Sequence, residues 1–148
     1  MTEKTYSQGP WSLQDLFTGF DDPKYQATFD EIEKGVQDFQ AYRDQLSPDL
    51  SEDLFISIIT DYEHIYRRVS RIGGFAELSF TTNTQDQQAQ AEVAKVDQFQ
   101  AEISNQSLFF NLWWKALDDE NAKRLLAVSE DYRYWLEAMR NFKDFTLR

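Results

Sequence analysis

Asp61 and His64 stand three residues apart in a stretch of helical periodicity, and this is the closest the chain comes to a metal-ligand motif. A zinc helix of the HExxH kind needs two imidazoles four residues apart, and a di-iron bundle needs two Glu-x-x-His pairs on facing helices. The chain has one histidine and no cysteine. Asp61-x-x-His64 is therefore half of such a site, and the plainer reading of His64 is a helical histidine beside Tyr62 and Tyr66 at the edge of a core. As a general base it has no serine in a nucleophile-elbow sequence to act on. Gly73-Gly74 lacks the further glycines and the preceding strand of a phosphate-cradling loop. Arg67, Arg68 and Arg71 form a basic cluster, and Glu63, four residues before Arg67, makes an ordinary helix-surface pair, so a solvated face fits them better than an anion site. These residues predict no metal, no cofactor and no reaction run by this chain alone.

Phe109, Phe110, Trp113 and Trp114 are the remaining candidates. Four large rings within six positions either fill a core or line a domain interface or a peptide channel. The two readings stand side by side at this level.

These residues sit in a chain of 148 residues, about one domain, and a domain of that size buries roughly 70% of the surface its unfolded chain exposes. Aromatic residues make up 16% and prolines number three, which excludes a disordered or low-complexity chain. A net charge of -11, from 26 acidic and 15 basic residues, repels phosphate backbones and anionic lipid surfaces, so nucleic-acid and membrane-surface roles are disfavoured. The N-terminal MTEKTYSQGPW has no apolar run after its lysine, and no stretch approaches the roughly 20 apolar residues of a membrane span. The expectation is a soluble, cytoplasmic protein.

Helical periodicity of three and four dominates every long segment. Residues 1–22 form an arm whose Trp11, Leu13, Leu16, Phe17 and Phe20 dock on the bundle, with Ser12 as a cap and Asp15 at its third position. Asp22-Pro23 opens a helix over 23–46 through Tyr25, Phe29, Ile32, Val36 and Phe39, with Tyr42 or Arg43 filling the seam before Leu46. Ser51 starts a second over 51–81, in which Gly73-Gly74 costs about 2 kcal/mol against Ala-Ala. That pair implies a kink, a close backbone approach, or a break that splits the helix. Thr84, with Gln87 as reciprocal partner, caps a third over 84–117, whose seam runs Ala89, Val93, Val96, Gln100, Ile103, Ser107, Phe110, Trp114 and Leu117. From Leu108 onward this helix is apolar on almost every side and must be covered all round, by this chain, a second copy or another partner. Asp118 or Asp119 caps a short helix over 119–128, and Ser129 opens the last over 129–144. The predicted fold is all-α, a single domain 1–148, an elongated antiparallel helical bundle built on two long helices with a docked N-terminal arm.

Four segments in order carry a resemblance: Trp11-Ser-Leu-Gln-Asp-Leu-Phe17; Gly74-Phe-Ala-Glu-Leu-Ser-Phe80 with Asn83-Thr84; Phe110-Asn-Leu-Trp-Trp-Lys-Ala-Leu117; and Tyr134-Trp-Leu-Glu-Ala-Met-Arg140. Together they resemble the N-terminal region of oligoendopeptidase F-type zinc metallopeptidases over nearly the whole chain. The resemblance implies a helical wall of a channel for short peptides, with a C-terminal catalytic domain supplying zinc and the HExxH helix. That catalytic half is absent here, so no catalytic or metal-binding residue carries over. The implied partners are that domain and short peptides; self-association of the isolated piece is expected separately, from the apolar surplus after Leu108. A stand-alone helical interaction module is the alternative reading.

Overall fold

The structure is a computed structural model that describes residues 17–141. It is an all-α helical bundle, with no strand among the described residues. The helices are α1 (Pro23–Gln40), α2 (Glu52–Thr82), α3 (Gln87–Ala116), α4 (Asp119–Ala127) and α5 (Arg133–Asn141), with short 3-10 turns at Ala41–Gln45 and Glu130–Tyr132. Trp11, Leu13, Leu16, Ser12 and Asp15 of the expected arm lie outside the described residues, as do the positions after 141 assigned to the last helix.

Where one domain is expected, the contacts resolve into two compact units, each drawing on α2 and α3. The first combines the described part of Met1–Lys34 with Ile65–Glu102. Its core is aromatic. Phe17 packs edge-on against Tyr25 and Phe75 with ring centroids 5.2 and 5.3 Å apart, and Phe29 meets Phe99 at 4.9 Å. Ile32, Ile72, Ala89 and Val96 complete it. The second combines Gly35–His64 with the described part of Ile103–Arg148. There Phe39, Phe55, Ile58, Ile59, Tyr62, Phe110, Trp114 and Leu136 are buried together.

Local chemistry sets the helix ends. Pro23 occupies the first position of α1, where a missing N–H costs nothing, and Asp22 accepts from the backbone N–H of Thr18 and of Lys24 at 2.9 Å each. Ser51 Oγ accepts from Leu54 N–H, and Asp118 Oδ2 accepts from Asn121 N–H. Three ends differ from the sequence reading. The α-helical part of the first helix stops at Gln40, and 3-10 winding over 41–45 carries Tyr42 to a half-buried place against Phe39, at a centroid distance of 5.8 Å. Leu46 is then extended ahead of Ser47-Pro48. The third helix starts at Gln87 and not at 84, because Asp86 is the cap: its Oδ1 accepts from the N–H groups of Gln88 and Ala89. Asn83 Oδ1 accepts from Gln85 N–H, so Asn83-Thr84 belongs to the turn. Ser129 makes no side-chain cap, since its hydroxyl donates back to the Leu125 carbonyl at 2.7 Å, and α5 follows only after the 3-10 turn.

Gly73-Gly74 neither breaks α2 nor requires a close backbone. The helix is continuous across the pair, and no described glycine has positive φ. A Cβ on Gly73 would meet Val96 Cγ1 at 3.7 Å, an ordinary contact, and one on Gly74 would meet nothing within 4 Å. Gly73→Ala and Gly74→Ala are each expected to raise the unfolding free energy by about 1 kcal/mol through helix propensity alone. Urea denaturation checks this, and a loss of stability at either position contradicts it.

Asp22 generates a pH prediction. The backbone N–H groups of Thr18, first, and Lys24 hold its carboxylate below the ordinary 3.8. A group with a lowered folded pKa contributes stability that is complete above the unfolded value and is lost as pH falls through the folded one. Asp22→Asn keeps the acceptor and removes the titration. Its stability is expected to fall less steeply than the wild type's below pH 3.8. Denaturation midpoints measured between about pH 2 and 6 test this; parallel acid limbs would contradict it.

Candidate functional site

The C-terminal half of α3 separates its apolar residues by face. At about 100° per residue, Leu108 and Leu112 lie two positions either side of Phe110 and so point about 160° away from it. Phe110 and Trp114 are wholly buried in the second unit. Phe110 packs against Phe39, Tyr62 and Phe55 with centroids 5.5 to 6.3 Å apart. Trp114 Nε1–H donates to the Leu136 carbonyl at 3.0 Å, and its ring lies 5.3 Å from Phe55. Core packing is thus what these two of the four aromatic candidates do. Phe109 and Trp113 are half-buried, Phe109 beneath the Arg43 guanidinium at 4.8 Å and Trp113 against Phe55 at 6.2 Å. Leu108 and Leu112 are 43% and 51% exposed.

A single side chain ties down the end of this helix. Arg140 NH1 donates to the Trp114 carbonyl at 2.5 Å, one of the acceptors a helix C-terminus leaves without an intrahelical partner. Its NH2 pairs with Asp119 Oδ1 at 2.9 Å, and the guanidinium carbon lies 5.3 Å from the Trp114 ring centroid. The side chain of Arg140 is only 11% exposed. One residue of α5 therefore holds the end of α3 and the start of α4. Elsewhere in the unit, Arg124 reaches Glu52 at 3.3 Å and the Pro48 carbonyl at 3.2 Å, fixing the entry to α2.

The metal candidate does not assemble. His64 is exposed, and Asp61 Oδ2 accepts from the Tyr42 hydroxyl at 2.6 Å. Burial, followed by that bond, pushes the Tyr42 phenol up to about 12. Among the described residues no three His, Cys, Asp or Glu side chains converge to hold a metal ion. In the basic cluster, Arg68 pairs with Glu31 at 3.4 Å and Arg71 lies over the Phe17 ring at 5.2 Å, so two of its charges serve the first unit's own packing. Among the described residues no helix is long and apolar enough to cross a membrane.

What the chain presents is a partly exposed apolar strip on α3, built from Leu108 and Leu112 and flanked by Phe109 and Trp113. Sequence reasoning marks the whole stretch from Leu108 as over-apolar and singles out its aromatics; the greatest exposure falls on Leu108 and Leu112, whose offset from Phe110 carries the signal. Apart from the indole N–H of Trp113, the strip's side chains offer apolar contact only. This defines an all-α scaffold with a candidate interaction face. Compared with family models, curated proteins and solved structures, the chain has no match.

Substitution separates the two faces. Trp114→Ala is expected to cost about 3–5 kcal/mol, as large-to-small changes in packed cores do. Leu112→Gln, at a half-exposed position, is expected to stay within about 0.5 kcal/mol of the wild type. Chemical denaturation of both variants checks the assignment; comparable losses would mean that Leu112 belongs to the core.

Proposed function

We propose that this chain is a non-catalytic helical docking domain, the N-terminal part of an oligoendopeptidase F-like zinc metallopeptidase whose separate C-terminal domain carries zinc and cleaves short peptides. The observation that carries the docking role is the exposure of Leu108 and Leu112 beside half-buried Phe109 and Trp113. Contiguous apolar patches beyond a few hundred Å² on a protein surface usually mark an interaction face, and these four adjacent side chains would form the centre of one. Support for the family reading is the ordered resemblance, three of whose segments fall on described helices. They contribute Phe75 and Ala76 on α2, Phe110 and Trp114 on α3 with Leu117 just beyond its end, and Leu136 and Arg140 on α5. In this reading the apolar strip meets the catalytic domain, and the isolated chain exposes it.

Reading the gene downstream of the Arg148 codon tests the family assignment: an in-frame HExxH is expected, and an immediate stop codon favours the stand-alone interaction module. The docking role has its own test. The isolated chain is expected to associate in a concentration-dependent manner or to bind a hydrophobic dye, and a Leu108→Asp/Leu112→Asp variant is expected to lose that behaviour with its helical circular dichroism unchanged. Sedimentation and dye fluorescence read the outcome. A wild-type chain that stays monomeric and dye-free at high concentration would refute the exposed-face reading.

A further inference from the structure

We draw no further inference here: the strongest candidate, the open groove of about 270 Å³ beside Gly73 and Gly74 between Ser70 and Glu77 of α2 and Val93 and Asp97 of α3, has exposed polar walls with no deeply buried polar group aimed into it, and nothing in the structure shows what covers it.

Discussion

Burying an aromatic ring that carries a polar edge forces a choice of partner, and four such choices tie the helices of this protein together. Tyr25 on α1 donates to Glu92 on α3 at 2.8 Å within the first unit. Within the second, Tyr42 donates to Asp61 on α2, Tyr62 on α2 to Asn111 on α3, and Trp114 on α3 to the Leu136 carbonyl on α5. A buried donor left without an acceptor costs about 1–3 kcal/mol, whereas the net gain from making the bond is about 1 kcal/mol. The value of these bonds is therefore largely in the registers they forbid. Sliding α3 by one residue along α2 would carry Asn111 away from Tyr62 and turn Phe110 off the Phe39–Phe55–Tyr62 cluster at the same time. The apolar area drives the association, and the polar edges select one arrangement of it.

The acidic composition has a place in this scheme. A chain at -11 carries self-repulsion, yet several of its carboxylates do structural work. Asp22, Asp86 and Asp118 each accept backbone N–H groups at or beside the start of a helix, where the helix dipole also favours negative charge. Glu92 and Asp61 accept tyrosine hydroxyls, and Glu92 also lies 3.8 Å from Lys95, whose ammonium sits 4.6 Å over the Phe29 ring. Burial, and then the hydrogen bond to Glu92, raise the Tyr25 phenol above its ordinary range.

The helical framework was legible because its signals are local and periodic. Apolar spacing along α2 names Phe55, Ile58, Ile59, Tyr62, Ile65, Tyr66, Val69, Ile72, Ala76 and Phe80, of which all but the half-buried Tyr66 and Phe80 are buried. The ends were less legible because several residues compete for each cap. Thr84 and Asp86 both precede α3, and a carboxylate two residues nearer the helix wins. Ser129 is a good cap by type, but its position one turn beyond Leu125 lets it bond backward. Gly73-Gly74 reads as punctuation, yet neither residue takes a conformation that only glycine allows, and the packing of Ile72, Phe75 and Ala76 on either side holds the helix together. Helix propensity near 1 kcal/mol per glycine is small beside the burial of those side chains, each large one contributing about 1.5–3 kcal/mol.

The candidate face was legible in composition but not in its residues. LFFNLWWKAL announces more apolar surface than one helical stripe can bury, and large rings draw attention first. Burial sorts them by angle instead of size: Phe110 and Trp114 point inward and take up the core, while Leu108 and Leu112 point outward. Leucine outside and tryptophan inside is a sensible division, because the indole N–H needs an acceptor, and the neighbouring α5 supplies one at Leu136. The Trp114 carbonyl accepts from Leu117 N–H and from Arg140, so the end of α3 is closed on its inner side. Leu108 and Leu112, about half exposed, contribute less to the fold than the wholly buried rings do. Under the docking proposal these two leucines, and no reactive group, are what a partner of this helix would meet.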